Sequence, residues 1–231
     1  MYAQKKTVLK NVDALHVITI VVGVIFGFSG INHGFFEFLQ GNAPTEGLLI
    51  HAIGEAQRFW PEGTEDAFTI IPNFMISGIL SMALGSLIIA WSLRGLRTPH
   101  GRTVFISLFI LLFLFGGGIG QIVFFIPAWA FATRMGKPLA WWNRVLPRAI
   151  RPFLSRAWII LLIGATVFIL VGVEMAVFGY FPGLTETERI QNTAMRFVIA
   201  SALLYAAAYI AGIGHELYRR EKISKGEERH V

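Results

Sequence analysis

TVFISLFILLFLFGGGIGQIVFFIPAWAFATRM, residues 103–135, is apolar enough to live in lipid, yet Gly116, Gly117, Gly118 and Gly120 interrupt it, and Gln121 and Pro127 follow. Two readings compete. The stretch either crosses a bilayer as one glycine-kinked helix or enters, turns at the glycines and returns to the side it came from. The choice sets the orientation of everything downstream.

Working outward, the 231-residue chain is 55% hydrophobic and only 15% charged. That balance excludes an ordinary soluble domain and belongs to the membrane class. Other apolar runs fall at residues 15–37, 69–93, 157–180 and 194–217, each long enough at ~1.5 Å per residue to cross a ~30 Å hydrocarbon core. The first is too long for a signal-peptide core and lacks a small-x-small cleavage site, so it reads as a retained span. Glycines at 23, 27, 30 and 34 give it a small-residue side for close helix packing. Residues 44–60 place Leu49, Ile53, Ala56 and Trp60 opposite His51, Glu55 and Arg58, which predicts a short amphipathic helix on the outer membrane surface. Residues 137–156 combine Trp141 and Trp142 with Arg144, Arg148, Arg151 and Arg156, the pattern of an interfacial segment. The tail, 218–231, is charged and expected to fray. With no cysteine, disulfides and thiolate metal sites are excluded. The net charge of +6 sits beside hydrophobic spans without aromatic interleaving, so it points to lipid headgroups and not to nucleic acid.

Counting basic residues separates the two readings. Lys5, Lys6 and Lys10 precede the first span; Arg94, Arg97 and Arg102 follow the second. Six more lie within 134–156, and Arg219, Arg220, Lys222, Lys225 and Arg229 close the chain. With a simple third span and a cytoplasmic N-terminus, 8 of the 20 lie inside; with a hairpin, 17 do. Only the hairpin satisfies the positive-inside rule. The predicted fold is therefore an all-α polytopic membrane helix bundle of four transmembrane helices plus a re-entrant hairpin, in the cell membrane, both termini cytoplasmic. Arms of 13 to 15 residues reach ~20 Å, half a bilayer or somewhat more. Five transmembrane helices is the alternative.

Polar residues within spans default to functional candidates. Glu174 lies six residues before Tyr180, ~9 Å inside its helix end, and Arg196 is its nearest candidate partner, either as a structural pair or as part of an ion site. His33 and Glu37, spaced i, i+4, share a helix face. His51 and Glu55 repeat the spacing, and the two pairs could converge into a nitrogen and oxygen set for zinc, manganese or iron, although a solvated face is the plainer reading of the second. Asn73 and Gln121 complete a predicted outward cavity lined by His33, Glu37, Asn73, Gln121, Glu174 and Arg196. No nucleophile–base pair, phosphate cradle or dinucleotide fingerprint appears, and no particular cofactor is implied.

Three pieces, NHGFFEFLQGN (32–42), TIIPN (69–73) and GGGIG (116–120), resemble a group of prokaryotic multi-pass membrane proteins that has no assigned activity. The likeness covers roughly the first 130 residues. Where those relatives carry an acid before the His-Gly, Asn32 stands here, which weakens the carry-over of a metal site. The resemblance implies a family look and no reaction. The residues themselves favour a small transporter or channel-like protein, as a homo-oligomer or with a partner membrane subunit. A non-catalytic scaffold and an intramembrane metal-dependent enzyme are the alternatives.

Overall fold

A computed structural model describes residues 13–227 and is a helical bundle with one small sheet. Lys5, Lys6, Lys10 and Arg229 of the charge count lie outside the described residues. Helix α1, Ala14–Leu39, starts at Asp13, whose carboxylate accepts the His16 N–H at 3.2 Å, a standard N-cap. It packs antiparallel on α2, Phe74–Arg94, through paired glycines. A Cβ on Gly34 would strike the Gly78 carbonyl oxygen, and one on Gly27 would lie 2.8 Å from that of Gly85. Ser81 adds a bond to the Gly30 carbonyl at 3.0 Å. Backbone contact at seven-residue spacing on both helices draws their axes together, so these glycine faces are occupied within the chain.

The decisive stretch doubles back. Helix α3, Gly101–Leu114, runs alongside α1, with Phe105 facing Gly23 and Leu112 facing Gly30. Strand β3, Phe115–Gly118, and a 3-10 turn, Ile119–Gln121, form the tip. Helix α4, Ile122–Ala132, then returns: Phe124 stacks on Phe26, Phe125 on Phe109, and Arg102 bonds the Met135 carbonyl at 3.0 Å. The tip reaches the C-terminal end of α1. It meets α1 at His33 and Glu37 and joins an antiparallel sheet of order β1-β2-β3 with β1, Leu49–His51, and β2, Asp66–Thr69.

That sheet corrects the predicted surface helix over 44–60. Those residues form β1 and a 3-10 turn at Glu55–Gln57. Pro44, Gly47 and Gly54 weaken any helix there, and Leu49–His51 pairs instead with Phe68–Asp66, a partner that local periodicity does not reveal.

A short helix α5, Ala140–Val145, leads to α6, Arg151–Phe178, and α7, Thr187–Glu227. The latter two cross at Gly172 and are bonded by Ser201 to the Ala165 carbonyl at 2.8 Å. The tail expected to fray is helical as far as Glu227. Four helices, beginning with α1, α2, α6 and α7, are long and apolar enough to cross a membrane. The chain begins and ends its described course on one side, because the Ala14 N–H donates to Glu216 of α7 at 3.1 Å. We call that end of the bundle the near face and the sheet end the far face.

Candidate functional site

The far end of α1 carries two ionisable side chains one turn apart, and the hairpin tip is pressed against both. His33 is 5% exposed and Glu37 is fully buried. A Cβ on Gly118 would lie 2.6 Å from His33 Nε2, and one on Gly116 would lie 2.6 Å from Glu37 Oε1. Gly116 also has a φ of +101°, a backbone conformation open to glycine and few other residues. The glycine run therefore serves two needs: the turn itself, and close approach of backbone to the two α1 side chains.

Glu65, just before β2, closes the arrangement, its Oε2 lying 2.5 Å from His33 Nε2. Alternation along the strand sends the neighbouring Asp66 the other way, to the exposed His51 at 3.0 Å. Burial pushes the Glu65 carboxyl up, but the charge and hydrogen bond of His33 outweigh it and hold the group below the usual carboxylate range. Glu37 is different. Among the described residues it has no ion-pair partner, and neither oxygen meets a donor in full hydrogen-bond geometry, although the Ser77 hydroxyl comes close. The Ser77 hydroxyl, crowded on the same spot, donates to Thr69 Oγ1 at 2.9 Å and lies 3.3 Å from the Phe115 carbonyl.

A cavity of about 330 Å³ ends on this cluster. His33, Glu65, Asp66, Gln121 and Ser29 supply its polar wall, and Phe26 and Phe124 part of the apolar one. Gln121 donates to Ser29 Oγ at 3.2 Å, tying the tip to α1. A second cavity of about 470 Å³, toward the far face beside Trp60, Glu62 and Gln191, shares Glu65, Val173 and Val198 with the first. Glu65 thus lines both cavities, which lie between the hairpin and the α6–α7 pair.

Of the six residues expected to line one cavity, the structure gathers His33 and Gln121, with Glu37 behind the glycine strand. Asn73 caps α2, accepting the Ile76 N–H at 3.1 Å and donating to Asn42 at 2.7 Å. Glu174 and Arg196 are both exposed and form no ion pair with each other. The inward stripe of α6 runs through Trp158, Leu162, Ala165, Ile169 and Gly172, and a residue two positions past Gly172 is turned ~200° from it. Arg196 stands in the same relation to the buried Ala194 of α7.

The proposed metal set does not assemble either. His33 is paired with Glu65, His51 with Asp66, and Glu55 is exposed on its 3-10 turn. Among the described residues no three His, Asp or Glu side chains are placed so that they could hold a metal ion. Glu65 sits in an acidic loop beside Glu62 and Asp66, where no local pattern distinguishes it; its side follows from the β2 alternation, which buries Ala67 and Thr69 and exposes Asp66. Comparison with family models, with curated proteins and with solved structures returns no match to this chain.

Proposed function

We propose that the chain is a multi-pass membrane protein that works as a small transporter or channel-like protein, admitting a small cation, the proton included, from the far face to the His33–Glu65–Glu37 cluster. The observation that carries this reading is Glu37, fully buried with no ion-pair partner among the described residues and only the Ser77 hydroxyl close by, one turn beyond a histidine that lines a cavity. An uncompensated carboxylate in such a site costs several kcal/mol, which a bound proton or cation offsets. Intramembrane acids of this kind mark ion pathways.

The approach has the matching charge. Glu62 and Glu65 line the second cavity, and acidic walls of low dielectric raise the local concentration of cations. Among the described residues, the basic side chains lie toward the near face except Arg58, Arg189 and Arg196. The positive-inside rule then makes the near face cytoplasmic and the cavities outward-facing in a cell membrane.

Purified protein in liposomes tests this with dyes that report dissipation of proton, sodium and potassium gradients. Wild type is expected to dissipate at least one gradient faster than protein-free vesicles. Glu37→Gln and Glu65→Gln are expected to slow it about tenfold or more, equivalent to at least ~1.4 kcal/mol in a barrier, with helical circular dichroism retained. Rates equal to protein-free vesicles for all three ions sink the reading.

A further inference from the structure

At the near face, the end of α7 carries more positive charge than its acids balance. Glu221 is ion-paired with the buried Arg151, whose guanidinium also donates to the Leu146 carbonyl at 2.7 Å and the Asn143 carbonyl at 2.9 Å. Arg148 approaches the same carboxylate only to 3.7 Å and is 84% exposed. Arg220 donates to a neutral acceptor, the Lys137 carbonyl, at 3.0 Å. Arg148, Arg220, Asn143 and Ser224 line a cavity of about 470 Å³ between the α5 segment and α7, and Glu221 is its one acid. Arg151 lies behind this wall and is the closer partner of Glu221, which leaves Arg148 and Arg220 as the two guanidinium groups that face the cavity.

We infer that this cavity binds a phosphate group between Arg148 and Arg220. Guanidinium forks match the oxygens of a phosphate, and two of them balance its charge. Asn143 and Ser224 are hydrogen-bonding groups on the same wall. Trp141, 62% exposed and adjacent to the cavity residue Ala140, stands where a headgroup-level tryptophan belongs. The phosphate can come from a lipid headgroup or from solution. The site lies at the opposite end of the bundle from the His33–Glu65 cavity and does not depend on the transport reading.

The test uses full-length protein in neutral detergent, titrated by calorimetry with inorganic phosphate and with glycerophosphoglycerol. In parallel, native mass spectrometry scores lipid retained from vesicles of phosphatidylcholine and phosphatidylglycerol. Arg148→Gln and Arg220→Gln are each expected to weaken binding about fivefold, whereas Arg144→Gln, which removes an exposed arginine outside the cavity, leaves it unchanged. Arginine-dependent retention of phosphatidylglycerol without binding of the soluble anions assigns a lipid headgroup. Arginine-dependent binding of inorganic phosphate assigns a soluble phosphate. The inference is overturned if no phosphate species binds, or if Arg144→Gln weakens binding as much as the cavity variants, because the attraction is then a diffuse surface effect.

Discussion

Two buried charge clusters sit at opposite ends of this bundle, and they are built on opposite principles. At the near face, Arg151 is 1% exposed yet has Glu221 and two backbone carbonyls as acceptors, and Glu216 is divided between the Ala14 N–H and Arg219 at 2.6 Å. At the far face, His33 has Glu65, but Glu37 has no ion-pair partner among the described residues. A satisfied buried cluster braces elements together; an unsatisfied one is retained for something other than stability. The contrast is between Glu216, with a donor on each oxygen, and Glu37, without an ion-pair partner among the described residues.

The largest expected effect breaks the brace. Arg151→Leu removes the nearer partner of the half-buried Glu221, which keeps only Arg148 at 3.7 Å, and takes the guanidinium donors from the Leu146 and Asn143 carbonyls, at a combined cost of about 3 kcal/mol. Denaturant or thermal unfolding in detergent measures it; a loss under about 1 kcal/mol would erase the distinction between the clusters. Glu65→Gln comes next, since it leaves His33 with a neutral partner, at about 1.5–3 kcal/mol for a charge-assisted bond.

The same pair sets a pH dependence. Because the folded-state Glu65 carboxyl is held low, its contribution is complete above the unfolded value of ~4.3 and is lost as pH falls below that through the lowered folded value. Wild type should therefore lose more thermal stability than Glu65→Gln on acidification across this window. Parallel curves for the two proteins would show that the pair does not form.

Glu37→Gln is expected to change unfolding by no more than about 1 kcal/mol, in either direction, because it removes an uncompensated group and keeps its shape. It should nonetheless abolish ion flux. Stability lost in step with flux would place Glu37 with the braces. The smallest effect belongs to Glu174→Gln, which should leave both flux and stability unchanged within error, since the side chain is exposed and faces away from the cavities.

Much of the helical architecture was legible in the length of the apolar runs and in the placement of charge between them. Arginines flanking residues 103–135 demanded a return to the near face, and the glycines marked where the chain could turn. Helix faces were less well read. Glu174 stood out as an acid within a span, but the stripe from Trp158 to Gly172 already pointed elsewhere, and an acid ~9 Å from a helix end can extend toward the interface. The sheet was illegible for a different reason. Strands β1 and β2 are three and four residues long, and β2 pairs with the tip of a hairpin about fifty residues away, so no local pattern encodes it. Glu65 owes its position to that pairing, and the principal partner of His33 was missed with it.

The bond between Ala14 and Glu216 also has a bearing on how the molecule is made. Its two residues are 202 positions apart, so at a synthesis rate of roughly 5–20 residues per second the first helix waits some 10–40 s for the carboxylate that closes its end. During that interval Asp13 is the cap available from the local chain. The contact between the first helix and the last can form only after the C-terminal part of α7 has been made.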